Sequence, residues 1–249
     1  MYARRIVFLL ILQAMISCLA GMVRSNVGAS HLMREETDEK KSYTAADYIQ
    51  DGLVFMVDGI ENAGWVIHDE DETKWKDLIS GTVFNLSGKC QRDETSYKFI
   101  SRSVSNINTV SMRNAVGSSI FTIEIVVKCS AFNAAIYMWG SPQGFSFTTL
   151  SDYAMRFLSG GTKISQTSAG VGTSAHTYSI VRESIYGAAF LDGYQVETVK
   201  ECPALGSPTA GLDVPAGREV YSVRLYSRAL TAAEIAANYA IDKARFNLP

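Results

Sequence analysis

The sequence runs to 249 residues, 47% hydrophobic and 10% aromatic, with 19 glycines and 5 prolines. That is ample material for a packed core, and the wrong composition for a collagen-like or broadly disordered chain. A formal charge of −2, with no lysine or arginine cluster beyond short pairs, argues against nucleic acid as a partner.

MYARR opens the chain with two arginines, and the 18 residues from Ile6 to Val23 follow without a charge. A basic stretch before an apolar run reads as a secretory signal. The run also approaches the ~20 residues that span a bilayer. Three readings of residues 1–23 stand side by side. Met15-Ile16-Ser17-Cys18 resembles a bacterial lipobox, in which Cys18 would carry lipid. Cys18 and Ala20 supply the small residues of an ordinary cleavage site. Otherwise the segment stays in place as an anchor. Each reading exports the remainder to the cell surface or the extracellular space, and the membrane is met only through this segment.

Residues 24–43 are polar, charged and without apolar period, so they read as a tether. Thr44 and Asp47 then have the spacing of a capping box before Tyr48 and Ile49, which predicts a short helical turn. Residues 24–49 are thus expected to be tether and turn. From Gly52 onward short β-prone runs follow one another: LVFMV, TVFNL, FTIEIVVKC, AAIYMW, GFSFTTL, YAMRFL, HTYSIVRE, AAFLDGYQVETV and VYSVRLYS. Gly, Ser, Asn and Pro clusters separate them at roughly the 8–12 residue spacing of a sandwich or barrel. In FTIEIVVKC, Ile123, Ile125, Val127 and Cys129 share one side, with Thr122, Glu124 and Lys128 on the other. Asp192-Gly193 suits a two-residue hairpin turn. No internal repeat or βαβ alternation appears, so one antiparallel all-β domain is expected. Cys90, Cys129 and Cys202 lack zinc-ligand spacing and read as buried thiols, with at most one bridge.

A helix closes the chain. In RALTAAEIAANYAIDKARF, Thr231 is the expected N-cap and Glu234 its capping-box partner, with Leu230 and Ile235 placed as a hydrophobic staple. Ile235, Tyr239 and Phe246 form an apolar stripe, and Lys243 and Arg245 suit the negative end of the helix dipole.

This last segment, VYSVRLYSRALTAAEIAANYAIDKARF, resembles the ending of laminin-G-like domains of the concanavalin A-like lectin/glucanase superfamily, especially bacterial and phage ones. GLVFMVDG is similar to the family's opening strand, WKDLISG to its Trp-x-Asp-Leu-x-Gly element, FTIEIVVK to its central strand and AAFLDGYQV to its hairpin. The resemblance implies an all-β fold, an antiparallel jelly-roll sandwich of two sheets with a short C-terminal helix, over residues 50–249. It implies less about function, since such sandwiches serve as lectins, adhesion modules, enzymes and virion parts.

Retaining glucanases of that superfamily carry a Glu-x-Asp-x-x-Glu pattern on one strand, because their chemistry needs two carboxyls only ~5–5.5 Å apart. Here the central strand offers Glu124 alone. The one Glu-x-Asp, Glu36-Thr37-Asp38, lies in the tether and has Lys41 where the second glutamate belongs. His176 has no nucleophile-elbow motif beside it and reads as a strand-edge residue. The expectation is a protein that is not an enzyme.

Six carboxylates lie between Asp58 and Glu72, beside His68. An EF-hand loop starting at Asp69 fails, because its sixth residue is Lys74 and its twelfth Ser80. Laminin-G-like domains often hold calcium at a sandwich rim, and Asp58, Asn62 and Asp69 could contribute to such a site. The alternative is an exposed loop over Trp65 and Trp75. For carbohydrate, an aromatic ring to stack on and polar groups for the hydroxyls are needed. Tyr137 and Trp139 share a face opposite Ile136 and Met138, Phe145 and Phe147 share a face, and Arg156 lies opposite Met155 and Phe157. One set lines the core and the other the concave sheet, and periodicity does not say which. Tyr137, Trp139 and Arg156 are the candidate ligand-binding residues. The functional expectation is an exported binding module for carbohydrate or a glycosylated surface. The alternative is a structural or adhesion protein, a phage appendage component included, that binds protein.

Overall fold

In the computed structural model the described residues are 42–71, 73–101, 103–107, 109–130, 134–138, 145–159, 162–168, 170–196, 200–201 and 211–249. The strands are β1 (Leu53–Asp58), β2 (Lys74–Lys76), β3 (Val83–Asn85), β4 (Cys90–Arg92), β5 (Tyr97–Phe99), β6 (Ser103–Ile107), β7 (Ile120–Cys129), β8 (Ala134–Met138) and β9 (Phe145–Thr149). They continue with β10 (Met155–Ser159), β11 (Thr162–Gln166), β12 (His176–Glu183), β13 (Tyr186–Leu191), β14 (Tyr194–Gln195), β15 (Lys200–Glu201), β16 (Leu212–Val214) and β17 (Arg218–Tyr226). Among the described residues the helices are Val110–Gly117 and Ala232–Phe246, with a 3-10 turn at Ala45–Asp47 and another at Val171–Thr173. None of these is long and apolar enough to cross a membrane.

The strands form an antiparallel β-sandwich of two main sheets. The first runs β14-β13-β12-β7-β17-β5-β4, with β15 joined to β13. β17 is long enough to be shared on one side: Arg218–Val220 pairs with β5, and its later residues pair with β1. The second sheet runs β11-β10-β9-β8-β16-β6, and β2 and β3 make a separate hairpin.

Strand alternation decides what lies between the sheets. Phe55 and Val57, Phe121 to Val127 at odd positions, Tyr178 and Ile180, and Val223 and Leu225 come from the first sheet. They meet Ile136, Phe147, Met155, Phe157, Ile164, Leu212 and Val214 of the second. The helix Val110–Gly117, which has no clear counterpart in the sequence pattern, adds Met112, Ala115 and Val116 to this core. Thr109 caps it by accepting the Met112 N–H.

The even positions of β7 behave differently from a solvated face. Thr122, Glu124 and Val126 are fully buried, as are Thr177, Ser179, Ser222, Arg224 and Tyr226 on neighbouring strands. The C-terminal helix and the turn at 45–47 lie over this side. Both local signatures read in the sequence are present: reciprocal capping boxes at Thr44/Asp47 and Thr231/Glu234. Leu230 and Ile235, the staple pair, are buried together. The packed unit reaches back past residue 50, since Ala45 and Tyr48 are buried under the helix. The Asp192-Gly193 turn has positive φ at both residues (50° and 79°), as a type I′ hairpin requires.

Candidate ligand-binding sites

The acidic stretch from Asp58 to Asp71 divides into two parts with opposite surroundings. Asp58 is fully buried, and Arg245 of the C-terminal helix donates to both of its oxygens, at 2.8 and 3.0 Å. The same Oδ1 accepts the N–H groups of Ile60 and Glu61. Arg245 also reaches Glu61, whose other oxygen accepts the Val66 N–H. Asp58 and Glu61 thus tie the first loop to the last helix. Gly59 is required between them: a Cβ there would lie 2.1 Å from the Thr95 carbonyl oxygen.

Beyond Asn62 the stretch turns outward and forms a cleft at the rim. Asn62 is buried and uses its whole amide: Oδ1 accepts the Asp69 N–H, while Nδ2 donates to the Asp69 carbonyl and to Tyr97 Oη, each at 2.8 Å. Tyr97 in turn donates to the Lys74 carbonyl and stacks on buried Trp75 at 4.5 Å between ring centroids. Trp75 Nε1 donates to the Asp58 carbonyl. Burial, first, pushes the Tyr97 hydroxyl up to about 12, so it stays a neutral donor. Above this floor lies a cleft of roughly 170 Å³ lined by Asn62, Ala63, Asp69, Asp71, Lys74 and Lys76, with Val83 at its edge. The hydrogen bond from Lys74, then those from Thr73, hold the Asp71 carboxyl down at about 2.

Of the three calcium candidates, Asp58 and Asn62 therefore face inward with their oxygens committed, and Asp69 is exposed on the rim. Among the described residues no group of three or more His, Cys, Asp and Glu side chains is placed to hold a metal ion. His68 is an exposed loop residue, with Nδ1 2.6 Å from the Ile60 carbonyl and the Arg92 guanidinium against the ring. Trp75 is buried beneath the loop, and Trp65 is partly buried against the second core cluster.

The second candidate surface is the outer side of the six-stranded sheet. Ile136, Phe147, Met155 and Phe157 point into the core, which resolves the choice that periodicity left open. Arg156 is on the other side, half-buried, with Nε and Nη2 both 3.3 Å from Gln166 Oε1. In the register Arg156 pairs with Thr148 and Gln166, and Leu158 with Ser146, which pairs with Tyr137. The side chain of Tyr137 and the whole of Trp139 lie outside the described residues. The two helices pack elsewhere, the short one on β1, β7 and β17 and the C-terminal one on β12 and β14.

Glu124 and His176, the two residues weighed for catalysis in the sequence, both hold other parts of the fold together. Glu124 accepts from Arg224, Asn238 and Ser179, under the helix and away from solvent. Burial, first, pushes its carboxyl up, against the pull of Arg224. His176 Nδ1 sits 2.6 Å from Asp192, whose other oxygen accepts the Thr177 N–H. The pair secures the β13–β14 turn to the start of β12.

No family model matches the sequence, and no curated protein matches it. Among solved structures, the chain is similar to the sialidase of Trypanosoma rangeli in complex with sialic acid, with a TM-score of 0.56 and 16% identity, over 78% of this chain and 33% of that one. It is similar to the binding domain of Paraclostridial Mosquitocidal Protein 1, with a TM-score of 0.51 and 15% identity, over 76% of this chain and 52% of that one. The binding domain of Botulinum Neurotoxin DC in complex with SialylT matches with a TM-score of 0.51 and 9% identity, over 76% of this chain and 51% of that one. The chain thus spans a third to a half of the lengths of these proteins. At such identities the likeness is one of fold, a β-sandwich.

Proposed function

We propose that this chain is a non-catalytic binding module of the laminin-G-like type that recognises carbohydrate or a glycosylated surface. One asymmetry carries the reading. The outer side of the nine-stranded sheet is sealed by the C-terminal helix, whereas the outer side of the six-stranded sheet presents Thr148, Arg156 and Gln166 partly to solvent. Tyr137 belongs to the adjoining strand, Trp139 lies outside the described residues, and an aromatic ring is the group that stacks on a sugar. The similar folds lend support: the sialidase structure holds sialic acid, and the neurotoxin domain is bound to SialylT.

The non-catalytic part rests on Glu124, whose hydrogen bonds and helix cover leave no route for a substrate. Export rests on residues 1–23, as signal peptide, as lipoprotein signal through Cys18, or as anchor, with residues 24–49 as tether and turn ahead of the sandwich. A second reading, adhesion through protein contacts, draws on Ile120, Ile185 and Tyr186, exposed where β7 and β13 begin and β12 ends.

A glycan array with the full chain, run with calcium and again with EDTA, separates these readings. Specific glycan binding supports the first. A blank array beside capture of a defined protein partner supports the second, and hydrolysis of any oligosaccharide overturns both.

A further inference from the structure

We propose that the rim cleft is a second carbohydrate site, one that takes a single sugar ring carrying a carboxylate, with Lys76 receiving the carboxylate and Asp69 the hydroxyls. The inference rests on the carbohydrate reading above but on a different set of residues.

Size comes first. At roughly 170 Å³ the cleft is well below the ~300–1,000 Å³ of pockets for drug-sized ligands, which restricts it to about one ring. Its charges come next. Asp71 and Lys74 face each other at 2.8 Å and largely cancel. Among the described lining residues, Asp69 and Lys76 remain. Lys76 is half-buried on β2, opposite Val83 in the hairpin, and among the described residues its ammonium has no hydrogen-bond or ion-pair partner. A partly desolvated cation is stabilised by an anion that fits the same space. Asp69 is exposed, and its Oδ1 accepts the Asp71 N–H, which leaves Oδ2 to accept from ligand hydroxyls. Ala63 and Val83 add apolar surface to the lining for the C–H groups of a ring.

The frame is rigid before any ligand arrives. The Asn62 amide clamps both backbone groups of Asp69, Thr73 fixes Asp71 by its N–H and hydroxyl, and the β2–β3 pairing sets Lys76. Preorganisation of this kind removes part of the ordering cost of binding. Two lysines in the lining disfavour a divalent cation. Among the described residues the lining holds one unpaired ammonium and no arginine, which suits a carboxylate better than a phosphate, since phosphate recruits several donors.

The test is a titration of the full chain with glucuronate, glucose and inorganic phosphate, followed by chemical-shift perturbation and calorimetry. Glucuronate is expected to shift the resonances of residues 62–76 and 83, with glucose and phosphate markedly weaker. Lys76→Gln and Asp69→Asn should each weaken glucuronate binding about tenfold or more while leaving the melting temperature unchanged. Glucuronate binding that survives both substitutions, or phosphate binding as tight as glucuronate, overturns the proposal. If sugars bind and are lost with Arg156→Ala alone, the cleft fails and the open-face reading stands. If no sugar binds the chain at all, both readings fall together.

Discussion

Arg224 on β17 and Asp242 on the C-terminal helix meet through two hydrogen bonds of 2.7 Å, with both side chains completely buried. Asp242 also accepts from Tyr48 and Thr177, so helix, N-terminal turn and sheet converge on one carboxylate. Arg224 additionally holds Glu124 at 3.0 Å and stands over the Tyr48 ring at 4.0 Å. Removing one member of a buried ion pair leaves the other charged and without its counter-ion, at a cost of about 3–5 kcal/mol. Arg224→Met, which strands two carboxylates, is expected to lose at least that much in urea unfolding. A loss below about 1 kcal/mol would mean that the helix does not depend on this network.

A pH effect follows from the opposite end of the same helix. Arg228, first, and the Thr231 N–H hold the Glu234 carboxyl at about 2, down from an ordinary 4.5. The folded value is the lower one, so the stability it contributes is complete above about 4.5. That stability is lost as pH falls from there towards 2. Thermal melts from pH 7 to pH 2.5 should therefore show an acid decline that is shallower in Glu234→Gln. The variant should also melt lower at pH 7, since it loses its ion pair with Arg228. Parallel acid declines in the two proteins would count against the capping carboxylate as their source.

Why the caps were legible and the network was not is a matter of distance along the chain. Thr231 and Glu234 are three residues apart, and Asp192-Gly193 is a dipeptide, so each carries its geometry locally. The alternation of FTIEIVVKC likewise shows which side enters the core. Nothing local says that Glu124 is covered, because its partner Asn238 is 114 residues away. The sequence pattern predicts a helix stripe of Ile235, Tyr239 and Phe246, yet the buried residues of the helix are Ile235, Asn238, Ile241, Asp242 and Phe246. Two of these are polar and look solvated until their partners are in place. β2, β4, β5 and β16 have three residues each, too few for a period to emerge. The rim cleft escaped for a related reason: Lys74, Lys76 and Val83 come from the two strands of a hairpin whose pairing no motif announces.

Metal dependence can be decided without knowing the ligand. Arg245 and backbone N–H groups occupy the Asp58 oxygens, and the Asn62 oxygen accepts from Asp69. Calcium at 100 times its dissociation constant would stabilise the fold by about 2.7 kcal/mol, a shift of several degrees for a chain of this size. The expected outcome is the same melting temperature in millimolar calcium and in EDTA. A rise of several degrees with calcium would show a metal site, built either on other groups or on these oxygens freed from their present partners.

The last prediction separates binding from stability on the open sheet. Arg156 contacts Gln166 through two bonds of 3.3 Å, long and weak, and is only half-buried. Arg156→Ala should therefore change unfolding free energy by no more than about 0.5 kcal/mol, as at most surface positions. If its guanidinium serves sugar hydroxyls, the same substitution should remove glycan binding measured on the array and by titration. Trp139→Ala tests the stacking half of the idea and should weaken binding about five- to tenfold, the value of an aromatic contact beyond its area. Glycan binding that persists in the double variant would remove Arg156 and Trp139 from the recognition site. A large loss of stability in Arg156→Ala would instead make that residue part of the scaffold, because a half-buried, weakly bonded arginine should cost the fold no more than about 0.5 kcal/mol.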